Sequence, residues 1–338
     1  MQFGSIEAIF NAFRSLKVLI IGDVMIDVYT WGSVSRISPE APIPIVQTTK
    51  RERRLGGAGN VALNVQALGA SPLLCTVIGN DIEGNYCYEL MYNTDMAVAG
   101  IIKSDERPTI TKERVLAGSQ HMLRIDAETI EPLTSKEEQS FIQLIKKQIL
   151  QTDVVIFEDY DKGCITPRVI EAVTHYAHEK HIPIVVDPKK RNFFSYPNVT
   201  LFKPNLRELN EGLNLDLEAK DKETLSRVVR DLRKRLKIET ALITLSENGL
   251  YVANEQESHF MPAHKRDIGD VSGAGDTIVS IAALALALNL PIQLTAALAN
   301  LGGGLVCEHL GVVAIDKMQL MKEALAHNIP TLINDVAK

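Results

Sequence analysis

From residue 61 onward, helical and extended apolar patterns take turns along the chain. Helical spacing runs over 61–68, 137–150, 169–179 and 225–236. Short apolar runs at 73–78, 154–157, 182–186 and 241–244 read as buried strands. Strands that alternate with helices pair in parallel, through crossovers that lay helices on both faces of one sheet. The pattern predicts an α/β fold built on a doubly wound, mostly parallel sheet. Residues 17–22 form a further apolar strand ending at Gly22-Asp23, with Asp27 four residues on. Ligands of open α/β sheets bind beyond the carboxyl ends of the strands, so Asp23 and Asp27 are candidate acceptors for ligand hydroxyls. The plainer role for either is a turn or helix cap.

Two stretches depart from this alternation. Residues 36–47 hold Pro39, Pro42 and Pro44, which exclude a central strand and predict an edge strand or flap. The run 101–126 alternates through Thr109, Thr111, Glu113 and Val115, then Met122, Arg124 and Asp126. Together they predict a small β-lid over about 28–50 and 101–127. On a two-faced strand Lys112, Arg114 and Arg124 share parity. Such a basic face either binds an anion or is a set of solvated edge charges that discourages aggregation.

Composition narrows the classes. A net charge of −6 with 23% charged residues supplies no basic face for nucleic acid or a membrane surface. The N-terminus carries Glu7 and Arg14 rather than a signal-peptide core, and the longest apolar run, 278–290, is too short to span a bilayer. Cys75, Cys87, Cys164 and Cys307 show no C-x-x-C spacing, which fits reduced thiols in a cytoplasmic protein. His175, His178 and His181 drift around a helix without a carboxylate or cysteine partner, so a solvated helix end outweighs a metal site. One domain over 1–338 is expected.

The stretch that carries chemistry is Ile268-Gly269-Asp270-Val271-Ser272-Gly273-Ala274-Gly275-Asp276-Thr277, followed by an apolar helix. A helix start offers unpaired N–H donors and a partial positive charge, an anion site into which Gly273, Ala274 and Gly275 let a ligand approach. A carboxylate beside it, Asp276, reads either as a general base or as a first-turn cap. In Leu55-Gly56-Gly57-Ala58-Gly59-Asn60, the residues Gly57, Gly59 and Ala62 match the dinucleotide pattern G-x-G-x-x-A, but charged Lys50–Arg54 stand where its hydrophobic strand belongs. A glycine turn that brings backbone to a sugar, with Asn60 as donor and acceptor, is the alternative.

The run Asp270–Asp276 resembles the D-T-x-G-A-G-D signature of the ribokinase/PfkB sugar-kinase family, with Val271 at the threonine position. Gly56, Gly57 and Asn60 resemble its N-terminal glycine–asparagine signature. Asn205 and Glu208 resemble its N-x-x-E motif, and Leu242–Gly249 its I-T-L-G-x-x-G segment with Ser246 at a glycine position. The resemblance implies ATP and Mg²⁺, with a monovalent-cation requirement left open. Asp276 becomes the base. Lys189, Asn205, Glu208, Thr244, Ser246, Gly249 and Asn300 fall on the nucleotide side, and Asn205 and Glu208 organise Mg²⁺ through water.

Within the family, Gly22–Asp27, Ser35-Arg36-Ile37-Ser38-Pro39-Glu40-Ala41-Pro42, Arg107-Pro108-Thr109, Leu123–Asp126 and Asp159-Tyr160-Asp161-Lys162-Gly163 look like bacterial heptose-phosphate kinases of lipopolysaccharide-precursor synthesis. That resemblance implies phosphorylation of D-glycero-D-manno-heptose 7-phosphate at C1. Asp27, Gly57 and Asn60 would hold sugar hydroxyls, and Arg36, Lys112 or Arg124 the 7-phosphate. It also implies a homodimer through the lid. Some such enzymes carry a fused nucleotidyltransferase, and none is expected here. The rivals are another sugar or sugar phosphate as substrate, a dehydrogenase, or a non-catalytic sugar sensor on the same fold.

Overall fold

The computed structural model describes residues 3–118, 120–327, 329 and 331–334. Its strands are β1 (Lys17–Gly22), β2 (Val24–Ile37), β3 (Pro44–Gly57), β4 (Ser71–Gly79), β5 (Ile101–Ser104), β6 (Thr111–Ala117), β7 (Gln120–Ala127), β8 (Val154–Glu158), β9 (Ile184–Asp187), β10 (Leu201–Phe202), β11 (Thr240–Thr244), β12 (Leu250–Ala253) and β13 (Ser258–Met261). The helices are α1 (Ile6–Ala12), α2 (Ala58–Ala67), α3 (Ile82–Asn93), α4 (Ser135–Gln148), α5 (Pro167–Glu179), α6 (Leu206–Leu213), α7 (Lys222–Leu236), α8 (Ala274–Ala287), α9 (Ile292–Val306), α10 (Lys317–Ala326) and α11 (Thr331–Asn334).

The large sheet runs β13-β12-β11-β10-β9-β8-β1-β4-β5. It is parallel from β11 to β5, and β12 and β13 add an antiparallel edge. Val18, Leu19, Ile20 and Ile21 of β1 are all buried, as a strand covered on both faces requires. Alternate residues feed two cores. Val18 and Ile20 pack with α1, α2, α8 and α9, while Leu19 and Ile21 pack with α4, α5 and α7. Local signals fix the helix starts: Thr134 and Glu137 form a capping box on α4, and Thr166 with Pro167 opens α5. No described helix is long and apolar enough to cross a membrane.

A second sheet, β3-β2-β6-β7, mixes antiparallel pairs with a parallel β2–β6 contact. It spans 24–57 and 111–127, wider at its start than the expected 28–50. The other expected segment, 101–127, divides: β5 pairs with β4 on the large sheet, because its short apolar run is covered there. The prolines Pro39 and Pro42 lie in the β2–β3 connection, and β3 is an edge strand. A strand therefore does lead into Gly57. It is half-exposed and antiparallel, in the small sheet, and this placement is what separates it from a dinucleotide-binding βαβ unit.

Candidate active site

The floor of the site is the carboxyl end of the large sheet. Glu158 and Asp187 end β8 and β9 as register partners. Ile156 and Val185 pack on the α8 side of the sheet, and two residues on, Glu158 and Asp187 share that face. Lys203 follows β10, is 2% exposed, and pairs with Asp187 Oδ2 at 2.8 Å. Lys189 pairs with Glu208. Burial pushes the Lys203 ammonium toward neutrality, but Asp187, Glu208 and Glu158 outweigh it and hold the charge. Both carboxyl oxygens of Glu158, and Asp187 Oδ1, are buried without a hydrogen-bond partner among the described residues. Burial first, then the Asp187 and Asp276 carboxylates, pushes Glu158 well above the usual carboxylate range.

Asp276 sits over this floor in the first turn of α8. Gly273 precedes the helix at φ 83°, and a Cβ there would come within 2.9 Å of Asn60 Nδ2. Only glycine satisfies both the left-handed backbone and the close approach. Asn60 Nδ2 donates to Asp276 Oδ2 at 2.6 Å, and the Tyr160 hydroxyl donates to Oδ1 at 3.0 Å. Asn64, one turn further along α2, donates to Asn60 Oδ1 at 3.3 Å, which directs the Asn60 amide N–H groups toward Asp276. Thr277 closes the network by donating to Asn64 Oδ1 at 3.1 Å. Burial raises the Asp276 pKa, the Asn60 bond opposes it, Asp187 raises it further, and Tyr160 and Lys203 oppose; the balance lies above the usual value. Asp270 fastens the turn before α8 by accepting from Ser272 N and Gly311 N, both at 3.0 Å.

Two groups of comparisons bear on this arrangement. A model of the pfkB family of carbohydrate kinases matches residues 15–318. Bifunctional protein HldE of Pelobacter propionicus is 37% identical over 330 residues, covering 97% of this chain and 67% of that protein. HldE of Syntrophotalea carbinolica is 35% identical over 330 residues, 97% of this chain and 66% of that protein. The chain belongs to the pfkB family of carbohydrate kinases. It spans about two thirds of the length of these relatives, 66% and 67% in the two cases. Among solved structures, Escherichia coli phosphofructokinase-2 in complex with substrates and products superposes with a TM-score of 0.76 at 17% identity, covering 92% of this chain and 99% of that one. Arabidopsis thaliana ribokinase complexed with ribose and ATP gives 0.69 at 16%, covering 91% and 99%. Both place the chain in the ribokinase-like fold.

For a pfkB carbohydrate kinase, several expected site residues lie elsewhere than the sequence reading put them. Asp23 is 1% exposed, and its carboxylate accepts from the backbone N–H groups of Tyr160, Lys162 and Cys164 at 3.2, 3.1 and 3.0 Å. It clips a loop rather than facing a ligand. Asn60 is fully buried and spent on Asp276, not open to a sugar. Arg36 is exposed and nine residues along β2 from Asp27, about 30 Å at 3.3 Å per residue, so it does not reach the site within one chain. Asp27 lies on the small sheet as the register partner of Lys112. It takes Arg114 Nη1 on Oδ1 at 2.5 Å, and Gly56 leaves room for Oδ2, which a Cβ would strike.

The register Lys112↔Asp126 and Arg114↔Arg124 puts these four residues on one face of the small sheet. Lys112 is half-buried over the Tyr160 ring at 5.6 Å; burial, then Arg124, lowers its pKa. Lys162 is close enough to Lys112 to lower it further, and pairs with Glu128 at 2.7 Å.

On the other side, Asn205 and Glu208 form a reciprocal capping box at the start of α6, with both bonds 2.8 Å. Thr244 ends β11 and bridges to Asn205. Ser246 is exposed and left-handed at φ 52°, which accounts for the family's glycine there. Gly249 is buried in the turn into β12. Asn300 donates to Pro262 O at 2.8 Å, so its amide ties a loop to α9. A Cβ on Gly303 would come within 2.7 Å of Ile278, so that glycine packs α9 on α8.

The floor suits a hard divalent cation. Asp187 Oδ1 is a buried, unpartnered oxygen, and Asp187, Glu158 and Glu208 supply carboxylates beside Lys189 and Lys203. Among the described residues no three His, Cys, Asp or Glu side chains form a preformed metal cage. The sequence reading passed over Tyr160, Glu158 and Lys203 as site residues. A charged residue directly after an apolar strand was the available signal for the last two.

Proposed function

We propose that this chain transfers the γ-phosphoryl group of ATP to C1 of D-glycero-D-manno-heptose 7-phosphate. The observation that carries the chemistry is Asp276, buried at the first turn of α8 with a donor on each carboxyl oxygen. Asp276 takes the proton of the C1 hydroxyl while that oxygen attacks the γ-phosphorus and the bond to the ADP oxygen breaks. First-turn amides from Gly273 to Asp276 hold the transferring group, where charge is spread over its oxygens. Mg²⁺, when bound, offsets phosphate charge, with Asp187, Asn205 and Glu208 as the residues to hold it through water. Lys189 and Lys203 flank the same phosphates. Thr244, Ser246, Gly249 and Asn300 border the nucleotide. The small sheet acts as a lid that excludes water from the transfer.

The heptose assignment is supported by the R-I-S-P-E-A-P run and by relatives named HldE at 35–37% identity. The 7-phosphate is assigned to Lys112, Arg124 and Lys162, and sugar hydroxyls to Asp27 and the Gly57 turn. Exposed Val34, Ile37, Leu123 and Ile125 give the small sheet an apolar surface, which supports pairing of two chains through it. Cytoplasmic location is part of this proposal. The structure of E. coli phosphofructokinase-2 in complex with potassium motivates a K⁺ arm in the assay. The test is ADP release, with and without K⁺, over heptose 7-phosphate, free heptose, ribose, fructose and fructose 6-phosphate. Turnover on heptose 7-phosphate above all others is expected. A preference for ribose or fructose 6-phosphate would replace the substrate while leaving the chemistry.

A further inference from the structure

We propose that Tyr160 is a positioning residue for the base, its hydroxyl holding the Asp276 carboxylate in one orientation and in its ionised form. This rests on the phosphoryl-transfer reading above. The Tyr160 hydroxyl donates to Oδ1 at 3.0 Å while Asn60 donates to Oδ2, so the carboxylate is held at both ends. Each oxygen keeps a further lone pair for the acceptor hydroxyl.

The loop that carries Tyr160 is built to stay still. Asp23 accepts three of its N–H groups, from Tyr160, Lys162 and Cys164. Just before it, Asp159 accepts from Asn192 at 3.0 Å and from the Tyr196 hydroxyl at 2.7 Å. The phenol is therefore placed by backbone bonds rather than by contact with the base alone.

The charge around Asp276 makes a donor there necessary. Glu158 and Asp187 face it from β8 and β9, against Lys203 from the end of β10. Burial, then Asp187, favours the protonated, inactive form, and the Asn60 and Tyr160 bonds favour the carboxylate. Tyr160 itself does not titrate into service as a base. Burial, then Asp276, pushes its hydroxyl well above its ordinary value, so the proton stays on the phenol throughout transfer. Lys112 and Lys189 lie over its ring at 5.6 and 5.3 Å, and positive charge on the π face strengthens the hydroxyl as a donor.

The test is the pH dependence of kcat and kcat/KM in the full chain for wild type, Tyr160→Phe and Asp276→Asn. Tyr160→Phe keeps the ring and removes one oxygen, and thermal melting controls for the fold. Loss of a bond to a charged group predicts about a 10-fold or larger fall in kcat at pH 7, with KM for ATP little changed. The acid limb moves to higher pH, because Asp276 loses a donor that favours ionisation. The gap to wild type therefore narrows as pH rises. Wild-type kcat in Tyr160→Phe, or a deficit constant across pH, overturns the inference. Inactive Asp276→Asn beside wild-type-like Tyr160→Phe overturns it alone, whereas an active Asp276→Asn overturns the base reading beneath it.

Discussion

The floor of the cleft and the outer part of the small sheet, away from the buried Asp27–Arg114 pair, handle charge in opposite ways. On the floor, Asp187–Lys203 is buried, and Glu158 and Asp276 lie buried among other acids. On the small sheet, Arg124 pairs with Asp126 and Lys50 with Glu52, with the basic side chains 52% and 63% exposed. Buried charge is expensive unless matched, so each floor residue is constrained by its neighbours. Exposed pairs contribute ~0–1 kcal/mol and leave their residues free to serve a ligand. Under the proposed function, the comparison divides chemistry, on the floor, from recognition, on the sheet.

The sharpest break of that division is Asp276→Asn. Loss of a general base predicts a kcat fall of about 10²–10⁴-fold, with ATP and sugar affinity nearly intact by calorimetry. A variant retaining about a tenth of wild-type kcat would remove Asp276 from the role. Next is Lys203→Met, which leaves Asp187 buried without its cation. A loss of ~3–5 kcal/mol by denaturant unfolding is expected. No loss would mean that the floor tolerates unpaired charge as the sheet does.

The scaffold of the floor was legible in the sequence, because apolar strands and the helix after Gly273 follow from periodicity and turn chemistry, whereas the buried charges Glu158 and Lys203 were passed over. Its helix start left Asp276 between a general base and a first-turn cap, and the family resemblance pointed to the base. What stayed hidden depended on contacts distant along the chain. Asn60 and Asp276 are 216 residues apart, and only the packing of α2 on α8 joins them. Asp23 looked like a ligand residue because it ends a strand, yet the 160–164 loop folds back over it. The small sheet was less legible. Residues 101–104 share its extended character and were separated from it only by pairing with β4.

A smaller effect comes from Glu158. Its folded-state pKa is raised, so the folded chain holds that proton more tightly than the unfolded one. The resulting stability is present below the ordinary carboxylate range and is lost as pH rises through the folded value. Glu158→Gln removes the titration. Its melting temperature relative to wild type should rise as pH increases from 5 to 8. A difference that stays flat with pH would mean that Glu158 is already ionised and paired in solution. Smallest is Arg124→Ala on the sheet, where stability should change by no more than ~1 kcal/mol.

The separation of floor from sheet is tested most directly by one ratio, kcat/KM for heptose 7-phosphate over that for unphosphorylated heptose. It is measured in wild type, Lys112→Ala and Asp276→Asn. The account predicts that wild type favours the phosphorylated sugar by about 100-fold or more, the scale of a charge-assisted contact or two. Lys112→Ala should collapse the ratio with a smaller loss on free heptose. Asp276→Asn should depress both sugars together and leave the ratio where it was. Equal use of both sugars by wild type contradicts the account, as does an Asp276→Asn ratio that collapses while the Lys112→Ala ratio holds.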